Sequence, residues 1–151
     1  MSRYETVLDA LTDHAERLGV FDIVMEGDPV GLPGDQMVLS WNADSGRPER
    51  TMSGLAATSI LLTVIGRTFI SNKVSPMAGL ERKLLVVVDT VMESFHAQIQ
   101  LGETDMHVDV LGQSGVDLRW QAGFVPVDDE LYRVVDITIP VIITDMYAQE
   151  L

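Results

Sequence analysis

Leu131-Tyr132-Arg133-Val134-Val135-Asp136-Ile137-Thr138-Ile139-Pro140-Val141-Ile142-Ile143-Thr144 is the stretch whose reading decides the fold of this chain. Its odd-numbered positions are apolar apart from Arg133, whereas its even-numbered positions mix Tyr132, Asp136, Thr138 and Pro140 with Val134 and Ile142. Side chains alternate between the two sides of a strand, so the pattern predicts a half-buried strand with one apolar and one mixed face. At about 3.3 Å per residue the run is roughly twice as long as an ordinary strand. It is expected to bend near Pro140 or to reach past its own domain. A strand too long and too apolar for a small domain to hide alone hints at assembly rather than catalysis.

Upstream, Ser2 and Glu5 match a capping box, and Tyr4, Val7, Leu8, Leu11, Ala15 and Leu18 recur at helical spacing before Gly19. An amphipathic helix closed by a glycine follows. Residues 20–25 and 36–41 read as short strands around a loop punctuated by Gly27-Asp28-Pro29 and Gly31-Leu32-Pro33-Gly34. Residues 42–54 are polar, carry Asp44-Ser45-Gly46 and Arg47-Pro48-Glu49-Arg50, and are expected to form an exposed connection whose tip is free to bind.

Residues 55–70 are apolar and β-branched, with Ile60, Leu62, Val64 and Ile70 on one face and Leu61, Ile65 and Phe69 on the other. That pattern belongs to a strand covered on both sides, which one layer of helices cannot provide. Leu80, Leu84, Val87, Val88, Val91, Phe95 and Ile99 then predict a second helix ending before Gly102. Residues 106–111 and 116–125 are expected to pair as a hairpin across Gly112-Gln113-Ser114-Gly115, and Val127-Asp128-Asp129-Glu130 turns the chain into the closing strand. The order helix, three strands, helix, three strands predicts a single α+β domain over residues 1–151: a mixed, mainly antiparallel sheet with two main helices packed on one face.

Ten Lys and Arg against 23 Asp and Glu give a formal net charge of −13. So acidic a surface repels phosphate, and specific nucleic-acid binding is disfavoured. The acids are scattered, with Asp128-Asp129-Glu130 as a short run, which describes a solvated surface rather than a DNA-mimicking face. Without cysteine the chain has neither disulfides nor thiolate metal sites. The N-terminus lacks an apolar signal core, and the apolar run over residues 55–65 stops at Gly66-Arg67, short of a bilayer span. A soluble cytoplasmic protein is expected.

The search for chemistry returns little. The glycines spell no phosphate loop, and Ser114 sits in a turn rather than a nucleophile elbow. His107 and Asp109 share one sheet face at period two and are the first acid–base or metal candidates, although such a pair on an exposed strand is usually solvated. Asp89 and Glu93 are neighbours on the second helix and read as its polar face. Arg82 and Lys83 read as surface charge, while a basic spot on an acidic protein can mark where a partner docks. Trp41 and Trp120 fall in strands as core anchors or a subunit contact. No catalytic group, cofactor site or metal set follows, so an enzyme is not expected.

The capped helix over residues 4–18, the strand Thr58-Ser59-Ile60-Leu61-Leu62-Thr63-Val64-Ile65, the helix opening at Gly79-Leu80-Glu81 and the closing Tyr132-Arg133-Val134-Val135-Asp136-Ile137-Thr138-Ile139-Pro140-Val141 together resemble a known family. In element order and texture, over nearly the whole chain, they resemble the tail terminator proteins of long-tailed bacteriophages, also called minor tail or tail completion proteins. None of these motifs is chemically specific. The resemblance implies an α+β subunit without an active site that forms a homo-oligomeric ring, a hexamer, and caps the tail tube when elongation stops. It implies as partners the subunit itself, the tail tube protein and a head-completion or neck protein. DNA passes through the ring without specific binding, and no membrane is involved. The location would be the tail–neck junction of the virion, reached from the host cytoplasm during assembly. Arg47 and Arg50 in residues 42–54, Lys73 in residues 72–78, and Arg67 inside the apolar strand are the candidate partner contacts on this reading. The alternatives are another head–tail connector or neck subunit, and a small ligand-binding or enzymatic α+β domain.

Overall fold

The computed structural model describes residues 2–27, 29, 36–50, 53–70, 77–127 and 129–149. Helix α1 (Arg3–Leu18) starts where the capping box places it: the Ser2 hydroxyl accepts the Glu5 N–H, and the Glu5 carboxylate accepts the Ser2 N–H, both at 3.2 Å. It stops at Gly19, whose φ of +70° favours a residue without Cβ. Helix α2 (Met77–Ala97) is rich in valine, a poor helix former, yet Leu84, Val87, Val88, Val91 and Phe95 fall on one buried stripe. Packing of that stripe decides its conformation over intrinsic propensity.

The strands are β1 (Ile23–Glu26), β2 (Val38–Glu49), β3 (Ala57–Phe69), β4 (Met106–Val108), β5 (Arg119–Val127) and β6 (Glu130–Ala148). They form one sheet in the order β1-β2-β3-β6, with β4 and β5 both paired to β6. β1 runs parallel to β2 and the other pairs are antiparallel. The fold is therefore α+β with a mixed, mainly antiparallel sheet, in the element order read from the sequence. Both helices cover one face: Val7 and Leu11 of α1 and Leu84, Val91 and Phe95 of α2 share a core with Leu39, Trp41, Leu62, Val64, Ile137, Ile139 and Val141.

β6 is 19 residues long and forms the spine of the sheet. Its irregularity falls at Asp145 (φ +51°) rather than at Pro140: Tyr147 faces Thr58 while Ile143 faces Ile60, and the Asp145 N–H donates to the Ser59 hydroxyl at 3.0 Å. Pro140 is accommodated in line. Its carbonyl accepts the Asp109 N–H at 2.9 Å, so its ring nitrogen points to the same edge, between the β4 partners at residues 141–143 and the β5 partners at residues 130–138. The missing N–H costs no bond of the β3 ladder.

Two expectations are corrected. Residues 42–49 are not a connection but the outer half of β2, paired to β3 from Asn42 to Glu49 with a register shift between Ala43 and Ser45. β1 covers β2 only up to Trp41, so these residues are polar because they form an exposed sheet edge. Second, β4 and β5 do not pair with each other. Residues 109–118 close on themselves, with the Leu118 N–H 3.4 Å from the Val110 carbonyl, and both strands pair with β6 instead.

Candidate functional site on the open sheet face

The sheet registers place a series of cross-strand rows on the face away from the helices. Gly46 lies on the helix side, near the Tyr4 hydroxyl, so its neighbour Arg47 points the other way. Arg47 faces Leu61, Leu61 faces Ile142, and Ile142 faces His107. The next rows inward are Ser45, Thr63 and Pro140, then Asn42, Ile65, Thr138 and Arg119, then Ser40, Arg67, Asp136 and Gln121. Val38, Phe69 and Val134 head the last row, where they cluster with Tyr132.

The loop of residues 109–118 forms a strap across the first row. It leaves β4 beside His107, and at its tip the Ser114 carbonyl accepts Arg47 Nη2 at 2.6 Å. To reach from β4 to β2 it must pass over Ile142 and Leu61, which accounts for their exposures of 2 % and 1 %. The Leu61 end of the open face of β3 is thus covered by the chain's own loop, part of the second cover that its apolar pattern required. Asp109 holds the strap's base by accepting the N–H groups of Gln113 at 3.1 Å and Ser114 at 2.8 Å. Burial pushes its carboxyl up, but the hydrogen bonds from Ser114 and Gln113 and the nearby His107 outweigh it and hold the group below the ordinary value of 3.8. Gly112 (φ +75°) lies so close to Asp117 that a Cβ would sit 2.7 Å from it, so the turn requires glycine.

Between the strap and the Phe69–Tyr132 cluster lies a cleft of about 400 Å³ lined by Asn42, Ile65, Arg67, Arg119, Asp136 and Thr138, among others. At its centre Arg67 clasps Asp136 with two parallel bonds, Nε to Oδ1 at 2.8 Å and Nη2 to Oδ2 at 3.0 Å. Arg119 is more exposed and lies 3.6 Å from Asp117. The cleft therefore offers hydrogen-bonding groups around a neutralised charge pair.

The sequence candidates fall in separate places. Arg47 clamps the strap, Arg67 forms the central ion pair, and Arg50 stands exposed just beyond β2. Lys73 lies outside the described residues. His107 and Asp109 are neighbours, but the Asp109 carboxylate is engaged in the strap. His14 is buried, stacked 4.7 Å from Phe95 and 2.9 Å from the Ser94 hydroxyl; burial above all lowers its pKa from 6.5. Trp41 is a core anchor, whereas Trp120 is partly exposed on β5. Among the described residues no three His, Asp or Glu side chains converge to hold a metal ion, and no helix is long and apolar enough to cross a membrane. Sequence reading missed Asp136, Arg119 and Asn42 as cleft residues. The available signal was a lone cation in one apolar strand and a lone carboxylate in another.

Compared with known proteins, the chain matches no protein-family model and no curated protein sequence.

Proposed function

We propose that the protein is a structural virion subunit: a phage tail terminator that assembles into a six-fold ring, caps the tail tube and later offers its other face to a head-completion or neck protein. One observation carries this reading. Leu85 and Val86 of α2 and Phe124 and Leu131 of β5 and β6 are each more than half exposed, in a chain whose formal charge of −13 gives it ample polar surface, and large apolar side chains left in water favour contact with another protein. The side chains that stand out chemically are engaged in holding the subunit together: Arg47 and Asp109 in the strap, Arg67 with Asp136, Arg133 with Glu81. Contact with the tube then falls first on Arg50 at the end of β2, with Lys73 as the second candidate. Acidic ring walls would let DNA pass without gripping its phosphates.

The cleft around Arg67 and Asp136 favours a second reading, a small ligand-binding domain, which needs no ring. Light scattering coupled to size exclusion across a concentration series separates the two. A species of about 100 kDa, six copies of a 16.6 kDa chain, supports the ring. A monomer at every concentration rejects it and leaves the ligand-binding reading.

A further inference from the structure

Where the C-terminal ends of α1 and α2 meet, two cavities of about 280 and 470 Å³ share Arg17, Ala97 and Gln98 and so form one groove. Its walls include Leu18, Ile99 and Leu101 but, among the described residues, neither Asp nor Glu, in a chain that has 23 of them. Arg17 is exposed and, among the described residues, forms no ion pair. His14 lines the smaller cavity, its ring stacked on Phe95 and its Nε2 2.9 Å from Ser94 Oγ. Ser94 gives its own hydroxyl proton to the Val91 carbonyl at 2.6 Å, so its oxygen accepts and the neutral ring carries its proton on Nε2. Burial first, and then repulsion by Arg17, keep the ring neutral, while the Gln98 amide acts against them. From α2 the ring meets Ser94, Phe95 and Gln98, none of them charged.

We infer that the groove at Arg17 binds a small organic carboxylate, a single anionic head on an apolar body. A cation and a group that can become one converge on a space whose walls hold no counter-charge, and a bound anion supplies it. The planar guanidinium matches a carboxylate through two parallel bonds. The Gln98 amide stands in the same walls as a further donor, and Leu18, Ala97 and Ile99 suit an apolar body. Phosphate is the poorer guest, since the field of a chain with net charge −13 repels a dianion more strongly than a monoanion. Carbonyls at the ends of two helices also repel an anion, but several are already engaged: the N–H groups of Gly19, Gln98 and Leu101 donate to the carbonyls of Glu16, Ser94 and Gln98. The groove lies on the helix side of the sheet, apart from the cleft around Arg67, and its occupation does not depend on whether copies of the chain form a ring.

NMR titration of the full chain at constant ionic strength tests it, with His96→Gln and His107→Gln as background, so that His14 is the one histidine left. Benzoate should raise the titration midpoint of His14 by about half a pH unit or more, since a carboxylate near the ring favours its charged form. Acetate, which lacks the apolar body, should need about tenfold more to do the same. Arg17→Lys keeps the charge without the fork and should bind benzoate about tenfold more weakly. Arg17→Gln removes the repulsion, so His14 should start from a higher midpoint and no longer respond to benzoate. Arg17 is at the surface, and circular dichroism checks that each variant stays folded. A midpoint that benzoate leaves in place, or an equal response in Arg17→Gln, would overturn the site. Acetate or inorganic phosphate acting as strongly as benzoate would overturn the assigned ligand class.

Discussion

Gly66→Ala should destabilise the subunit, and the structure sets the size of the effect. Gly66 faces Trp41 across the β2–β3 ladder, and a Cβ there would sit 2.7 Å from Trp41 Cζ3, 3.2 Å from Cε3 and 3.3 Å from Leu39 Cδ1. Carbon atoms settle at about 3.5–4.0 Å, so the indole would have to move by roughly 1 Å. Trp41 is 3 % exposed and held within the helix-side core, which leaves it little room. Overpacking of this kind costs about 1–3 kcal/mol. Removing a glycine from a strand interior returns roughly 0.5–1 kcal/mol, which leaves a net loss of about 1 kcal/mol at the middle of the two ranges. For a chain of 151 residues that is a fall in Tm of roughly 2–4 °C, read by thermal unfolding followed through tryptophan fluorescence. A variant as stable as the original would refute the packing described around Trp41.

Ser2→Ala removes the capping box of α1 and should cost about 1 kcal/mol, measurable by urea unfolding as a lower midpoint with unchanged slope. Arg47→Ala frees the strap from β2; the bond is solvent-facing, so about 1 kcal/mol and roughly fivefold faster hydrogen exchange in residues 110–118 are expected, with the helices unaffected. Because burial lowers the pKa of His14 from 6.5, the unfolded chain takes up its proton first. Stability should therefore fall as the pH drops below 6.5, level off below the folded pKa, and lose that slope in His14→Gln. The depressed Asp109 acts in the same direction, but at lower pH. Its stabilisation of the strap is present above 3.8 and should be lost as the pH falls through its folded value, which strap exchange rates would report.

The elements that could be read from the sequence are those whose burial imposes a period. β6 announces itself by an apolar face of period two, β3 by a continuous apolar, β-branched run, α1 by its cap and spacing, and α2 by a stripe strong enough to outweigh its valines. Residues 42–49 escaped because an exposed edge strand has no buried face to impose alternation. The strap escaped for a different reason: Gly112 and Gly115 look like an ordinary hairpin turn, and the contacts that redirect the loop, from Arg47 to Ser114 and from Asp109 to its own turn, are long-range or use side chains. The pairing of Arg67 with Asp136 spans 69 positions, and only the shared registers of β3 and β6 bring the two together. His107 and Asp109 did prove adjacent, yet what they build is a loop anchor.

The proposed ring is tested by negative-stain electron microscopy of the purified protein at high concentration. Closed, six-fold particles around an open centre are the expected result. Fields of isolated subunits, or open filaments without closed rings, would contradict it.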